Sequence, residues 1–294
     1  MEDYMIRVLT ENKQIRALAV RSTNLVEKAH QTHKTTPVAT AALGRALSAV
    51  SMMIALEKSG EKIGLRIIGD GPIDRIIAEA NMDGEVKGFV GKPQIDLMLN
   101  ENNNKKKLDV KKAIGNGELY VRKMMGLKEP YESKIRLISG EIGEDLTYYY
   151  TKSEQVPSSV GLGVLVDKDS YVKAAGGFII QLLPETPEET ISKLESNLNS
   201  LGSVSRLIEA GKTPEELLEI VLKGFSYDIT QVNEVEYKCN CSRERTLEIV
   251  NTLNADEIKQ SLEEDGYVEV TCHYCNESYR YNEEYLKEHL EREW

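Results

Sequence analysis

Four cysteines near the C-terminus are the residues of this chain whose type and spacing most clearly suit chemistry. They form two close pairs, Cys239 with Cys241 and Cys272 with Cys275, and the 294-residue sequence contains no other cysteine. Two pairs separated by about thirty residues are typical of a tetrahedral zinc site to which each pair supplies two thiolates. His273 lies inside the second pair, but four sulfurs already complete such a site. The spacing therefore predicts that these four cysteines bind one zinc ion.

The short spacing of the first pair allows a second kind of chemistry. Structural zinc modules mostly use Cys-x-x-Cys, in which two intervening residues let the backbone turn around the metal. A single intervening residue also brings the sulfurs of Cys239 and Cys241 within reach of each other. Because a metal-bound thiolate can still react with an oxidant, the site is a candidate redox switch. A purely structural zinc site is the alternative that the spacing leaves open.

Composition favours a soluble, cytoplasmic protein. Hydrophobic residues make up 40% of the sequence and charged residues 29%, which is the balance of a globular protein. No apolar run approaches the roughly 20 residues needed to span a bilayer, so no membrane partner is expected. The acidic N-terminus lacks the basic and apolar parts of a signal peptide. In a reducing compartment, clustered cysteines are expected to be metal ligands or redox groups rather than structural disulfides.

The net charge of −11 argues against a nucleic-acid partner, because binding of nucleic acid depends on contacts from Lys and Arg to phosphates. The clearest basic run, Lys105–Lys107, follows a polar stretch and is predicted to be a solvated loop. A zinc-ribbon protein that binds nucleic acid is the main alternative from another class. It would need a basic face near residues 239–281, where the charges are mixed and the helix that follows is acidic.

The sequence does not predict an enzyme. No catalytic triad, phosphate loop or metal-hydrolase motif stands out along the chain. His30 and His33 are predicted to be surface or capping residues, because no nucleophile pattern accompanies them.

The elements that precede the cysteines predict an α+β fold. Thr36 and Pro37 begin an Ala-rich helix that extends to about Lys58, and its small side chains predict a central, buried position. Arg45, in the middle of this helix, would then need a carboxylate partner. Other predicted helices cover 23–33 and 141–150, and predicted strands cover 4–9, 15–20, 62–68, 73–79, 85–90, 117–125, 133–139, 158–166 and 171–183. Together they form a large N-terminal domain with a mainly antiparallel sheet and a central helix.

A helical linker follows this domain. Two Thr-Pro-Glu-Glu segments, at Thr186 and Thr213, have the pattern of capping boxes with proline at the first helical position. Short amphipathic helices need a partner surface, so residues 184–225 are either a cap on the sheet or a movable linker. We predict domain boundaries at 1–183 for the N-terminal domain, 184–230 for the linker and 231–294 for the zinc module.

The C-terminal module is predicted to be a small four-cysteine zinc domain. Its predicted elements are a helix capped by Ser242, a helix at 255–264, strands at 267–270 and 279–281, and a final helix at 283–292 capped by Asn282. About 60 residues with few large apolar groups should fold only with metal. Four zinc-bound thiolates carry a net charge of about −2, which Lys238, Arg243 and Arg245 could offset.

The chain resembles the heat-shock protein 33 family of redox-regulated holdase chaperones. Residues 236–245 together with Cys272–Cys275 resemble its redox-switch domain, and Thr36–Arg45 and Gly69–Pro72 resemble signature segments near its N-terminus. The resemblance thus spans essentially the whole chain. It implies a reduced, zinc-bound, inactive state, in which oxidation would form Cys239–Cys241 and Cys272–Cys275 disulfides and release the zinc.

The same resemblance implies what the switch controls. The C-terminal module would unfold and destabilise the linker, and apolar surface that the linker masks would then bind client proteins. Clients would be unfolding or oxidatively damaged proteins, held without ATP during stress by an active form that is a homodimer. The absence of a nucleotide-binding motif agrees with holding that needs no ATP.

Overall fold

The computed structural model describes residues 1–57, 61–96, 99–100, 107–124, 126, 129–167 and 171–290. Contacts along the chain divide it into two compact units, Met1–Lys238 and Cys239–Trp294. The boundaries expected from the sequence, after residues 183 and 230, concern functional segments and remain a prediction. Some predicted features fall on residues outside the described ranges: Lys58, Lys105, Lys106, Met125 and Arg292.

Both units contain strands and helices. In chain order the strands are β1 (Tyr4–Thr10), β2 (Ile15–Arg21), β3 (Lys62–Gly69), β4 (Arg75–Asn81), β5 (Glu85–Val90), β6 (Leu99–Asn100), β7 (Lys107–Leu108), β8 (Gly117–Met124), β9 (Tyr131–Arg136), β10 (Ser158–Val166), β11 (Val172–Leu182), β12 (Tyr227–Glu234), β13 (Glu236–Tyr237), β14 (Tyr267–Thr271) and β15 (Ser278–Asn282). The helices are α1 (Thr23–His33), α2 (Pro37–Met53), α3 (Val110–Ile114), α4 (Gly143–Lys152), α5 (Glu188–Ser200), α6 (Val204–Glu209), α7 (Pro214–Val221), α8 (Arg243–Val250), α9 (Ala255–Asp265) and α10 (Glu283–His289), and a short 3-10 helix, Ile54–Leu56, continues α2. Lys107 therefore begins a short strand, whereas the sequence placed it in a loop.

Two large sheets build most of the described part of the first unit, and β6 and β7 pair as a separate two-stranded sheet. One has the strand order β10-β11-β2-β1-β12 and is antiparallel throughout. The other has the order β13-β5-β4-β3-β8-β9, in which β13 runs parallel to β5 and the remaining pairs are antiparallel. The predicted α+β class with a mainly antiparallel sheet is confirmed.

Helix α2 packs against both sheets and forms the centre of the core. Every residue from Val38 to Met53 is buried. At Gly44 a Cβ atom would stand 2.6 Å from Cγ1 of Val26 and 3.0 Å from Cγ2 of Val164, so a small residue is needed for α1 and β10 to approach. The buried Arg45 has the expected carboxylate partner, since its Nη1 lies 2.5 Å from Oε2 of Glu141. The predicted central helix is confirmed.

The length of this helix corrects one expectation. Residues Pro37–Leu56 are long and apolar enough to cross a membrane by length and composition, although the sequence had suggested that no run came close. The apolar window of this helix is entirely buried inside the first unit. The alanine and glycine residues made this apolar run hard to recognise in the sequence. Their small size also allows neighbouring elements to enclose the helix on all sides.

The inner strands β1, β2 and β11 of the five-stranded sheet are buried on both faces. Side chains alternate between faces along a strand, so Leu18 and Val20 of β2 point into the core around α2, while Ala17 and Ala19 join a second cluster. On the sheet, large side chains of this second cluster are Ile6, Val8, Ile15, Phe178 and Ile180. From the helices that cover them come Leu194, Val204, Ile208, Leu217, Leu218, Val221 and Leu222. Helices α5, α6 and α7 therefore cap an apolar sheet face.

The segment that leads to the cysteines forms sheet structure that the sequence did not predict. β12 pairs with β1 and becomes the edge strand of the five-stranded sheet, with Glu234 opposite Tyr4, and two residues later β13 pairs with β5. Val235 between them is buried, and the Tyr237 hydroxyl donates to the Gly88 carbonyl at 2.8 Å. Residues 227–237, which we call the strap, thus join the edges of both sheets.

The two predicted capping boxes have different outcomes. Thr213 caps α7 as expected, because its Oγ1 accepts from Glu216 N and the Glu216 carboxylate accepts from Thr213 N at 3.0 Å. Thr186 does not cap α5, whose N-cap is Pro187. Its hydroxyl lies instead within hydrogen-bond distance of two carbonyl oxygens, 2.7 Å from that of Leu183 and 2.9 Å from that of Gln14, and local sequence does not reveal the second partner.

Candidate metal centre

The second unit places both cysteine pairs at the ends of short elements. The first pair stands directly before α8, whose start is capped by Ser242 Oγ accepting from Arg245 N. The second pair lies in the turn between β14 and β15, which pair antiparallel. There the Cys272 amide donates to the Glu277 carbonyl at 2.9 Å, and Asn276 N donates to the Cys272 carbonyl at 2.8 Å. The hairpin thus turns tightly around its two cysteines.

A small core supports this arrangement. Its buried members are Val250, Ile258, Val268, Tyr281, Leu286 and Leu290. The Tyr281 hydroxyl lies 2.6 Å from Thr246 Oγ1 and 2.7 Å from the Arg243 carbonyl, which ties β15 to α8. For a unit that spans Cys239–Trp294 this is little buried apolar surface, so a further source of stability is expected.

The four sulfurs come together in one cluster. All four Sγ atoms lie within 4.8 Å of one another, and each cysteine is half-buried. Sγ of Cys239 lies 3.6 Å from that of Cys272, and Sγ of Cys241 lies 3.3 Å from that of Cys275. Zinc–sulfur bonds of about 2.3 Å in a tetrahedron place sulfurs about 3.8 Å apart. The four cysteines therefore could hold a metal ion, and their soft donors suit zinc.

Three of the four thiols have shifted pKa values. Burial raises the pKa of Cys239 to about 11 and also raises the pKa of Cys275. Burial acts in the same direction on Cys241, but hydrogen bonds from Tyr279 and the neighbouring thiols outweigh it and lower its pKa. Without metal the cluster thus resists holding several thiolates, whereas a divalent cation would deprotonate all four.

Tyr279 is the residue of this site that the sequence did not single out. Its hydroxyl lies 3.3 Å from Sγ of Cys241. The only sequence signal was its position four residues after the last cysteine, in a strand where side chains alternate. Which sulfur it would reach depends on the hairpin and α8 together.

The charged residues expected near the cluster have definite partners. Arg245 lies beside the first pair, where its Nη1 donates to the Asn240 carbonyl at 2.6 Å. Arg243 donates to the Arg280 carbonyl at 2.6 Å, within the second unit. Lys238 belongs to the first unit, where its Nζ lies 2.6 Å from Oε1 of Glu85.

The two histidines of α1 belong to the first unit and have structural partners. His30 Nδ1 lies 3.2 Å from Thr35 Oγ1 and 3.1 Å from Thr40 Oγ1. His33 is buried, contrary to the predicted surface or capping position, and its Nε2 lies 2.9 Å from the Tyr237 hydroxyl. The strap covers His33, which is why a residue at a helix end became buried.

Comparison with known proteins gives a consistent result. The family model described as Hsp33 protein matches residues 3–282. A protein named 33 kDa chaperonin from Bacillus subtilis (strain 168) is 46% identical over 286 residues, which cover 97% of this chain and 97% of that protein. The 33 kDa chaperonin of Geobacillus sp. (strain WCH70) is 45% identical over 289 residues, 98% of this chain and 97% of its own. The crystal structure of a 33 kDa chaperonin (heat shock protein 33 homolog) from Thermotoga maritima matches with a TM-score of 0.91 and 36% identity, covering 98% of this chain and 97% of the other.

Proposed function

The chain belongs to the Hsp33 family, and from this membership we propose that it is a redox-regulated, ATP-independent chaperone of the holdase type. Its clients are unfolding or oxidatively damaged proteins, which it keeps from irreversible aggregation. The reduced form binds one zinc ion and is inactive, and disulfide formation with loss of zinc activates it. The observation that carries the proposal is the four-sulfur cluster in a unit whose own core is small.

The cysteines act as the sensor. Zinc, when bound, holds the four sulfurs as thiolates and links the Cys-x-Cys turn to the β14–β15 hairpin. A thiolate attacks one oxygen of hydrogen peroxide, giving a sulfenic acid and hydroxide, and a second thiolate then displaces hydroxide to form the disulfide. For each disulfide, the two thiolates give two electrons to one molecule of peroxide, and two protons convert the two hydroxides to water. Once all four sulfurs are paired, no thiolate remains to bind metal.

The pairing proposed is Cys239 with Cys241 and Cys272 with Cys275. In the structure sulfurs of different pairs also approach each other, to 3.6 Å for Cys239–Cys272 and 3.3 Å for Cys241–Cys275. Both patterns are within reach of small side-chain rotations. Mass spectrometry of proteolytic peptides from the oxidised protein decides between them, since cross-pairing would link a peptide around residue 240 to one around residue 273.

The effector is the apolar face of the five-stranded sheet. Helices α5, α6 and α7 cover the buried side chains of Ile6, Val8 and Phe178. The cover is weakly held at one end. Leu194 is the one residue of α5 that is buried. Helices this short have little stability of their own and depend on the surface beneath them. Their release would expose a contiguous apolar surface suited to unfolded chains.

The strap connects sensor to effector along the chain. Cys239 follows directly after Lys238, and the two-residue strand β13 is the last sheet pairing before it. When the second unit unfolds, this short strand has no folded neighbour on its C-terminal side and can fray together with β12. The helices α5–α7 precede β12 immediately and lose an anchor at the same time. Loss of the zinc module thus lowers the stability of the cover.

We also propose where the protein acts and which partners it has. The protein is cytoplasmic, acts in the stress response, is not an enzyme and binds neither membrane nor nucleic acid. Its active form is a homodimer. The net charge of −11 suits a holdase, because it keeps complexes with sticky clients soluble.

The proposed function is tested by following zinc and chaperone activity on one sample. Reduced protein is treated with peroxide at elevated temperature, the zinc-to-protein ratio is measured before and after, and light scattering follows the aggregation of a denatured client. We expect about one zinc per chain to be released in parallel with suppression of aggregation. Equal aggregation with the reduced and the oxidised protein would refute the redox-gated holdase.

A further inference from the structure

We propose that Tyr279 is a positioning residue of the metal centre, whose hydroxyl donates a hydrogen bond to Sγ of Cys241 and sets how readily the centre yields to an oxidant. The inference rests on the proposed function, since it presumes that the four cysteines bind zinc. The distance between the Tyr279 oxygen and this sulfur is 3.3 Å. This is within the range for a hydrogen bond to sulfur, which has a larger radius than oxygen.

Strand pairing and side-chain packing both restrict the position of the Tyr279 ring. In the β14–β15 pair Tyr279 stands opposite Val270, and its ring packs against the core of the second unit. Two residues later Tyr281, on the same side of β15, is fully buried in that core. The ring is therefore held by packing, and its hydroxyl reaches the sulfur cluster without the flexibility of an exposed side chain.

Two of the other sulfurs accept hydrogen bonds from the backbone. The backbone amide of Cys241 hydrogen-bonds to Cys239, and the backbone amide of Glu277 hydrogen-bonds to Cys275. At Cys241 the partner is the Tyr279 hydroxyl, 3.3 Å from the sulfur. A backbone donor survives every substitution at its position except proline, whereas the tyrosine hydroxyl is removed by a change to phenylalanine. A substitution at Tyr279 can therefore change the properties of this metal centre.

The hydrogen bond has two predictable effects on a metal-bound thiolate. It stabilises the negative charge on sulfur, so its removal weakens zinc binding by about tenfold, as is typical for partners of metal ligands. It also withdraws electron density from the sulfur. Because nucleophilicity follows basicity, removal of the hydrogen bond raises the rate of attack on peroxide. Tyr279 therefore makes the switch slower to respond.

The test uses the full-length protein with Tyr279→Phe, and Tyr281→Phe is the matched control. Both changes remove one phenolic hydroxyl from β15, but that of Tyr281 bonds to Thr246 and the Arg243 carbonyl rather than to sulfur. Cobalt(II) is substituted for zinc, and the sulfur-to-cobalt charge-transfer band is recorded. We expect this band to shift in Tyr279→Phe and to stay at the wild-type energy in Tyr281→Phe. A merely structural role of Tyr279 would lower the melting temperature and leave the band in place.

Two further readouts accompany the spectrum. Zinc affinity from chelator competition should fall about tenfold, and the rate of peroxide-driven zinc release should rise several-fold, in Tyr279→Phe alone. Cadmium-113 substitution of the wild type adds a measurement that needs no variant, since a hydrogen bond to sulfur should give a scalar coupling between the Tyr279 hydroxyl proton and the metal.

The outcomes separate this inference from the proposed function. If the wild type binds zinc and cobalt but Tyr279→Phe matches it in spectrum, affinity and release rate, or if no coupling to cadmium is found, the role of Tyr279 is refuted and the holdase proposal stands. If the wild type binds no metal at its cysteines, both proposals fail together.

Discussion

Replacing Leu218 with alanine should activate the reduced protein without touching its cysteines. Leu218 lies in α7, is fully buried, and belongs to the cluster between helices α5–α7 and the five-stranded sheet. In the proposed mechanism, release of these helices is the step that exposes the client-binding face. Weakening their contact directly should therefore reproduce the effect of oxidation.

The size of the effect follows from the burial. A buried Leu→Ala change costs about 3 kcal/mol, from lost apolar contact and from the cavity that remains. Since about 1.4 kcal/mol corresponds to a factor of ten, the fraction of molecules with the helices released should rise about 100-fold. The loss falls on the local opening of the cover, because the helices α5–α7 contribute to this cluster and the central helix α2 does not.

The assay compares Leu218→Ala with Leu43→Ala in reducing buffer with zinc bound. Leu43 is a leucine of almost equal burial, but it lies in α2 and in the other core cluster. Hydrogen exchange over residues 188–221 should become faster in Leu218→Ala, zinc content should stay near one per chain, and aggregation of a denatured client should be suppressed. If the exchange becomes faster but aggregation is unchanged, the covered face is not the client site. Equal activity of Leu43→Ala would mean that general destabilisation suffices.

Three further outcomes follow from the same contacts. Removing zinc from the reduced protein with a strong chelator should abolish the cooperative melting of the second unit, whose core is small, while the first unit still melts cooperatively; calorimetry that shows two unchanged transitions would contradict this. Thr213→Ala should cost about 1 kcal/mol of stability and increase exchange in α7, whereas Thr186→Ala, at a residue that does not cap α5, should leave the exchange of the first turn of α5 unchanged. Burial, opposed by a backbone hydrogen bond from Leu25 and by Arg21, raises the pKa of Asp3 from 3.8 to about 6, so the folded state binds this proton more tightly than the unfolded state. The stability of the wild type relative to Asp3→Asn should therefore be greatest below about pH 4 and fall by up to about 3 kcal/mol as the pH rises through 6. If the difference in the free energy of unfolding between the two proteins stays constant across this range, the Asp3 carboxyl is not desolvated.

Local sequence determined a large part of the site and of its surroundings. The cysteine spacing was sufficient to identify all four residues of the cluster, because two turns that each present two sulfurs can form a tetrahedral metal site. The capping box at Thr213 marked the start of α7, since its hydrogen bonds lie within four residues of each other. Small residues and a lone Arg45 identified the central helix and its need for a carboxylate. In each case the deciding interaction is local, or its chemistry requires a partner of one kind.

Tertiary structure decided what depends on residues far apart in the chain. The strap, residues 227–237, looked like a plain lead to the cysteines, but it pairs with strands that lie about 220 and about 150 positions earlier, and edge pairing leaves no local pattern. Thr186 has the composition of a cap yet bonds to Gln14, because the chain there returns to the end of the first hairpin. Tyr279 reaches Cys241 only because β15 and the turn before α8 meet at the sulfur cluster. The sequence thus specified which side chains could carry the chemistry, while the fold specified which of them meet, since contact between distant segments depends on the packing of the elements that bring them together.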